Sequence, residues 1–196
     1  ESAWVDTLNV DIDKFKNVIE PTSGTSGVSN FNGVLYVHDN TDRTLNPTTT
    51  TKAVNTIRLI NGSVLPQTGL TLASQNPVYV QGDYNTGGTG TAVEANKGNL
   101  NNDKQPTTVD KNGKPTYEPK PAAIIADAVM FLSNSWQDSR SNSALNSRPA
   151  SNTTYNMAIL AGFMPSTSQK YSGGANNFPR FLENWSNQYC TYWGSM

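Results

Sequence analysis

Four acidic residues in this sequence are candidates for acid–base chemistry on a glycan. Glycoside hydrolysis needs two carboxylates that lie roughly 5 Å or roughly 7–9 Å apart across the bond to be broken. Enzymes that cleave acidic polysaccharides can also use a catalytic basic residue, which an arginine could supply. The residues available for such a site are Asp83, Asp127, Asp138 and Glu183, with the arginines Arg58, Arg140 and Arg180. A polysaccharide-cleaving enzyme is therefore one alternative for the function of the chain.

Asp83 and Asp127 also have a structural interpretation, which we favour over catalysis. Each follows a short apolar segment, 78–81 and 122–126, and stacked strands could bring the two carboxylates together. An aspartate at a corner of the chain also accepts hydrogen bonds from backbone N–H groups that the turn leaves unpaired. We predict that both are corner residues, that the chain has no catalytic residue, and that the protein is not an enzyme.

The sequence lacks the other common catalytic and metal-binding patterns. His38 is the single histidine, and no Gly-x-Ser-x-Gly elbow accompanies it. Cys190 is the single cysteine and lies in an apolar run, so we expect a small buried side chain and no zinc site. Asp110, Asn112 and Glu118 only partly match a calcium loop, because the glycine comes at its fourth position instead of its sixth. We predict no cofactor and no bound metal.

The composition excludes some classes of partner. Only 15% of the residues are charged and the net charge is −1, so the chain has no basic surface for nucleic acid. No apolar run approaches the ~20 residues that a membrane-spanning helix needs, and we predict no membrane insertion. Asn, Thr and Ser instead number 24, 22 and 18 of 196 residues, which fits β structure rich in turns. Such a polar, uncharged surface is typical of exported proteins.

Short apolar segments separated by Asn, Gly and Asp corners predict a mainly all-β chain. Nearly continuous apolar strands are typical of parallel sheets that are covered on both faces. Because few helices are available as crossovers, we predict an irregular parallel β-solenoid, or β-helix. A β-sandwich is one alternative. An α/β arrangement is another, in which 122–132 forms a single buried helix. The segments predicted as strands are 33–38, 56–60, 63–65 after a turn at 61–62, 70–73, 78–81, 122–127, 128–133, 157–161 and 190–196.

One or two short helices are predicted to decorate these strands. Apolar residues at 12, 15, 18 and 19 form one face of a helix that Asp11 could cap. A second helix is predicted after Pro179, with Phe178, Phe181, Leu182 and Trp185 on one face and Arg180 paired with Glu183 at the surface.

The chain divides into two predicted parts. Residues 1–30 are an N-terminal helix and loop, and 31–196 form the solenoid domain. Residues 86–120 contain few aliphatic side chains and are predicted to be an insertion that leaves the core. A hairpin is predicted around 110–113, where Asp-Lys-Asn-Gly stands between two β-prone segments.

Aromatic residues near the C-terminus are candidates for binding a glycan. Trp and Tyr side chains can stack on sugars only if they are exposed, and the same side chains could equally fill a core. Their burial therefore discriminates between an adhesin and a structural module. The residues of this group are Trp136, Trp185, Tyr189, Tyr192 and Trp193. The possible ligand-binding residues of the chain are Asp83, Asp127, Trp136, Trp185, Tyr192 and Trp193.

An ordered set of motifs resembles a family of large, mostly uncharacterised exported bacterial proteins. Members of that family often begin with a prepilin-like leader and are similar to pilus-assembly-associated proteins. The motifs cover roughly residues 56–196, with a longer passage between the first two than is usual in the family. They are VYVQGDYN at 78–85, AAIIADAV at 122–129, LSNSW at 132–136, SGG…NFPRFLENW at 172–185 and YWGS at 192–195.

The resemblance implies a structural module outside the bacterial cell or on its surface. It implies association with pili or other surface filaments, adhesion, and other surface or pilus subunits as partners, including further copies of the chain. It assigns no catalytic residue. We also expect the chain to be an excised part of a larger protein.

Overall fold

Parallel strands are the main regular elements of the structure. The computed structural model describes residues 5–20, 30–41, 54–88, 107–162 and 180–196. The main elements in these ranges are β1 (Val5–Asp11), α1 (Ile12–Ile19), β2 (Val34–Tyr36), β3 (Val54–Ile60), β4 (Leu70–Ala73), β5 (Val78–Gln81), β6 (Ala122–Ala126), β7 (Val129–Leu132), β8 (Thr153–Asn156), β9 (Ala158–Ala161), β10 (Arg180–Phe181) and β11 (Cys190–Trp193). Two short 3₁₀ turns, Asp138–Arg140 and Leu145–Ser147, lie between β7 and β8.

The strands form three sheets, and every pairing between named strands is parallel. The first sheet has the order β1-β3-β5-β7-β10, the second has β2-β4-β6-β9, and the third pairs β8 with β11. The prediction of a mainly all-β chain with parallel sheets is confirmed. The helix considered for 122–132 is wrong, because this segment forms β6 and β7 with a corner between them. The parallel pairing also argues against a β-sandwich, whose sheets are antiparallel.

Alternate residues of β4 and β5 fill a continuous core, and all four residues of β7 and of β8 are buried. In β5, for example, Val78 and Val80 are fully buried, while Tyr79 and Gln81 point to the outer face. The same two-residue period recurs in β4 and β3, whose buried leucines and isoleucine join this core. The rings of Phe131 and Tyr155 stack in its centre with 4.2 Å between their centroids.

Asparagine side chains hold the corners between sheets. The Asn76 amide oxygen accepts a hydrogen bond of 2.9 Å from the Asp39 backbone N–H. Its amide nitrogen donates to the carbonyl oxygens of Asp39 and Asn55, at 2.9 and 3.1 Å. Because Asn76 is buried, these bonds replace the water that the corner backbone would otherwise bind. This use of side chains explains part of the high asparagine content.

The predicted N-terminal helix is confirmed as α1. Asp11 caps it by accepting a hydrogen bond of 3.1 Å from the Lys14 N–H. Ile12 and Ile19 are buried, and the Phe15 ring meets Phe31 edge-on at 5.2 Å. β1, immediately before this helix, pairs along its whole length with β3, so the N-terminal segment shares the first sheet with the rest of the chain.

The second predicted helix is wrong in its described part. Arg180 and Phe181 form β10 and pair with Met130 and Phe131 of β7. Backbone pairing with an apolar strand outweighs the weak helical preference of so short a segment. The predicted surface ion pair with Arg180 is also wrong, because Glu183 is buried. Phe178, Pro179 and the glycine loop before them lie outside the described residues.

The predicted hairpin at 110–113 is confirmed. Val109 and Pro115 form an antiparallel bridge, and the Asp110 carboxylate accepts hydrogen bonds from the Asn112 and Lys114 N–H groups at 2.8 and 2.9 Å. Asp110 therefore closes the turn. The hairpin is tied to the core by the Tyr117 hydroxyl, which lies 2.9 Å from the Asn85 amide oxygen. The rest of the predicted insertion, 89–106, lies outside the described residues.

Candidate functional site

Asp83 is a buried corner residue with a defined set of partners. It follows β5, and only 3% of its surface is exposed. Its carboxylate accepts hydrogen bonds from the Thr154 N–H at 2.7 Å and from the Asn134 amide at 2.8 Å. Its own N–H donates to the Asn134 amide oxygen at 3.0 Å. The carboxylate therefore joins the end of β5 to the segment after β7 and to the start of β8.

Asp127 lies at a different corner, and the structure does not bring it to Asp83. It is buried between β6 and β7, and its carbonyl oxygen accepts a hydrogen bond of 3.0 Å from the Gly162 N–H. The pairing of Val78 with Val129 places Asp127 beside the start of β5. Asp83 follows the end of that strand, and four strand residues span about 13 Å at about 3.3 Å each. The expectation that stacking could join the two carboxylates is therefore wrong.

Asp138 is held by Arg58 across the outer face of the first sheet. The two guanidinium nitrogens of Arg58 lie 2.6 and 3.0 Å from the two carboxylate oxygens of Asp138. The Trp136 indole N–H also donates to Asp138, at 2.8 Å. The pKa of Asp138 is lowered mainly by its hydrogen bonds with Arg58. The hydrogen bond from Trp136 lowers it further. We call 133–152, the segment between β7 and β8, the strap, and this contact holds it on the sheet.

Glu183 is buried against the beginning of the strap. Only 4% of the surface of Glu183 is exposed. Its carboxylate accepts hydrogen bonds from the Ser133 N–H at 2.6 Å and from the Ser133 hydroxyl at 2.5 Å. Burial raises the pKa of Glu183, while the Ser133 bonds and the charge of Arg148 oppose that rise. Ser133 and Arg148 were not identified from the sequence. Fifty residues separate Ser133 from Glu183, and no local pattern predicts that they meet.

A shallow cleft opens beside Glu183, and we call it the Glu183 cleft. Its walls are held together by backbone hydrogen bonds from Asn184 to the Arg148 carbonyl at 2.7 Å and from Ala150 to the Asn184 carbonyl at 2.9 Å. Its cavity volume of about 10 Å³ leaves room for about one water molecule and is far below the roughly 300–1,000 Å³ usual for small-molecule sites. The lining residues are Ser135, Trp136, Gln137, Arg140, Arg148, Pro149 and Glu183.

The five aromatic candidates do not behave as one group. Tyr192 packs against the core, with its ring 5.9 Å from that of Phe131, and its hydroxyl donates to the Ser195 carbonyl at 2.8 Å. Trp193 is half-buried on β11, and Trp185 is half-buried with its ring 5.5 Å from Phe181. Trp136 is half-buried in the strap.

Tyr189 is 63% exposed and is the most exposed of the five aromatic candidates. The five side chains therefore do not form one open stripe, nor do they all fill the core. Of the candidates for ligand binding, Trp136 is the one that lines the Glu183 cleft.

Cys190 packs half-buried against the core, and burial raises the pKa of its thiol to about 12. Such a thiol stays protonated at neutral pH and is a poor nucleophile. Among the described residues, no three His, Cys, Asp or Glu side chains are grouped to hold a metal ion. The described helices include none that is long and apolar enough to cross a membrane.

Comparison of the chain with models of protein families, with curated proteins and with solved structures finds no match.

Proposed function

We propose that the three sheets are the sides of one irregular parallel β-solenoid. Three consecutive stretches of chain visit the sheets in the same order: β4 and β5, then β6, β7 and β8, then β9, β10 and β11. In the first of these, Tyr84 takes the place of a third strand, because it forms a parallel bridge with Tyr155 of β8. Each stretch is then one coil, and the strap leaves the middle coil between its second and third sides.

We further propose that this module is a non-catalytic structural part of a bacterial protein outside the cell, associated with pili or with another surface filament or adhesion structure. The observation that carries this proposal is that three of the candidate carboxylates form hydrogen bonds that hold the fold together. Asp83 closes a corner, Asp138 holds the strap, and Glu183 is bound by Ser133. The side chains that could have done chemistry thus have structural partners, as expected of a module whose task is stiffness. The uncharged polar composition supports a position outside the cell.

Other surface or pilus subunits, including further copies of this chain, are the partners that this proposal implies. Apolar residues are exposed on the outer strands of the first and second sheets, where a neighbouring subunit could cover them. They are Val5 and Leu8 on β1, Val34 and Tyr36 on β2, Leu160 on β9 and Phe181 on β10.

A carbohydrate-binding or polysaccharide-cleaving β-helix domain is the second candidate. The observation in its favour is the Glu183 cleft, where an aromatic ring, two arginines and a buried carboxyl group meet. The structural bonds of Glu183 to Ser133 favour binding over cleavage.

Immunogold electron microscopy of intact source cells tests the pilus-associated role, with antibody raised against this domain. Cells in which the gene is deleted are the control. We expect label along filaments or at their tips. Label on the envelope without filaments would contradict the filament role. The carbohydrate-binding or polysaccharide-cleaving function would then become the first candidate. Screens for glycan binding and polysaccharide cleavage would test it.

A further inference from the structure

The outer side of the second sheet is apolar across its four strands. In each strand, the residues that alternate with the inward-facing ones point away from the core. The strand register sets them in two rows, of which the first is Tyr36, Ala73, Ile125 and Leu160. The second row is Val34, Thr71, Ala123 and Ala158. Seven of these eight described residues are apolar and none is charged, and we call them the apolar face.

We propose that the apolar face binds the same face of a second copy of the chain, through a two-fold axis. This inference rests on the proposed role in a surface assembly and makes it specific, because it names the surface through which two copies meet. Immunogold labelling reports where the protein is, whereas the contact between copies is measured on the purified chain, so either can fail without the other.

The strands of this sheet have the composition of strands that are covered on both sides. β6 and β9 are apolar at every position, as is typical of parallel sheets with both faces buried. The core covers the inner side of the sheet. On the outer side, Val34, Tyr36 and Leu160 are 54%, 58% and 57% exposed. Apolar side chains that are exposed together on one surface mark an interaction site.

The first sheet shows how the chain anchors one of its own segments on an outer face. One outer row of that sheet contains Arg58, Tyr79 and Met130, and Arg58 holds the strap through the Asp138 carboxylate. The anchor is therefore a charge. The apolar face carries no charged side chain, so the surface that covers it must be apolar as well.

Charge and shape favour a second copy as that surface. A two-fold contact sets a face against itself, so a charged residue near the axis would meet a like charge, and the apolar face has none. Tyr36 and Leu160 stand at opposite edges of the first row, and Tyr36 already stacks on the His38 ring at 6.4 Å. An axis that runs along β6 sets the other edge residue, Leu160, over the small Ala73 of the second copy.

The size of the apolar face predicts a weak contact. Four strands with spacings of about 4.8 Å span about 14 Å, and the two rows lie about 7 Å apart. Such a face covers a few hundred Å², below the roughly 800 Å² per partner of a stable complex. We expect a Kd on the order of 1 mM for two free copies. Copies held close together in a surface assembly would associate far more completely.

The experiment is an NMR concentration series on the ¹⁵N-labelled chain, from well below to about twice the expected Kd, with translational diffusion measured on the same samples. We expect saturable shifts confined to β4, β6 and β9 and slower diffusion at high concentration. A chain that stays monomeric overturns the proposal and leaves the apolar face to a different subunit. Shifts on two separate surfaces would show a head-to-tail contact and overturn the two-fold axis.

Variants locate the contact. Leu160→Lys should weaken self-association at least tenfold, because it places a charge on the apolar face. Val18→Lys is the matched control, since Val18 is 62% exposed on α1, outside the apolar face. Both positions are exposed, so both variants should keep the fold, and thermal unfolding checks this. The proposal is overturned if the folded Leu160→Lys chain associates like the wild type or if Val18→Lys weakens association equally.

A size swap tests the position of the axis. Leu160→Ala and Ala73→Leu should each weaken association, the first by losing contact and the second by crowding. The double variant restores a large side chain over a small one, and we expect its association to return toward that of the wild type. A double variant that is weaker than both single variants would contradict the axis along β6.

Discussion

The carboxylate of Asp83 accepts a hydrogen bond of 2.7 Å from the backbone N–H of Thr154, a residue 71 positions further along the chain. Two residues beyond each of them, Asn85 and Asn156 exchange hydrogen bonds, each amide donating to the other's carbonyl oxygen at 3.1 and 2.9 Å. These contacts join two segments that are distant in sequence, through side chains and where regular strand pairing is interrupted. An aspartate that looks catalytic in the sequence is thus a part of the framework.

Replacing Asp83 is expected to destabilise the protein. Asp83→Ala leaves the buried Thr154 N–H without its acceptor and removes the shortest hydrogen bond of the Asn134 amide, which costs about 1–3 kcal/mol in the free energy of unfolding. For a chain of this length, each kcal/mol lowers the melting temperature by roughly 2–4 °C. Thermal unfolding followed by circular dichroism measures the change. Lys114→Gln, on the exposed hairpin, is the control and should melt like the wild type. An unchanged melting temperature for Asp83→Ala would contradict the corner role.

Removing Asp138 is expected to loosen the strap with little loss of global stability. The side chain of Asp138 is 68% exposed, so its ion pair with Arg58 contributes less than about 1 kcal/mol to unfolding. Asp138→Asn should shift the Trp136 indole N–H signal and raise hydrogen exchange in 134–148 while the core amides keep their protection. Uniformly raised exchange throughout the core would show that the strap is not an independent unit.

Acid should release the same contact in the wild type. The folded-state pKa of Asp138 is lowered from its ordinary value of 3.8, so the carboxylate stays ionised in the fold at a pH where the free side chain would be protonated. Its stabilising contribution is present above pH 3.8 and is lost as the pH falls through the lowered folded-state pKa. We expect the Trp136 indole N–H signal to move only below pH 3.8, and to show no such transition in Asp138→Asn. Glu183→Gln removes the titrating carboxyl group of the Glu183 cleft, which Trp136 also lines, and a transition centred well above pH 3.8 in that variant would contradict this assignment.

The sequence predicts some of these features and not others, and the difference has a physical basis. β5 and β6 are predicted correctly, because each is a short apolar run between corners that contain Asn, Gly or Asp. β8 is not found, because Thr153, Thr154 and Asn156 read as a polar loop. All four residues of β8 are buried nevertheless, since Asp83 and Asn85, distant in sequence, supply hydrogen bonds to them. Local patterns carry no information on such partners.

The candidate site was predictable only in part for the same reason. Glu183, Arg140 and Trp136 can be selected by residue type, but their assembly depends on the path of the strap. The sequence predicts a helix where β10 lies, because Phe181 and its apolar neighbours have helical spacing. Its parallel pairing with β7 turns Phe181 into a strand residue and directs the following corner, with Glu183, toward Ser133.

Cys190 should be almost inert in the folded protein. Burial raises its thiol pKa to about 12, so at pH 8 the thiolate fraction is on the order of 10⁻⁴, compared with about a quarter for a free thiol of pKa 8.5. Reaction with a colorimetric disulfide reagent at pH 8 should therefore be at least a hundredfold slower in the native chain than in the chain unfolded in urea. Equal rates would show that the thiol is accessible and ionised. The Cys190→Ser variant controls for background colour.

Glu183 gives the opposite pH dependence from Asp138. Its folded-state pKa is raised from 4.5 by burial, so between 4.5 and that higher value the folded chain binds more protons than the unfolded chain. Stability therefore falls as the pH rises through this window, and the full contribution of the protonated carboxyl group is present only below pH 4.5. Glu183→Gln keeps a neutral acceptor for Ser133 and removes the titration. The melting temperature of Glu183→Gln minus that of the wild type should increase from pH 4 to pH 7. A difference that is constant, or that shrinks over this range, would mean that the Ser133 bonds outweigh burial and that Glu183 is ionised in the fold without cost.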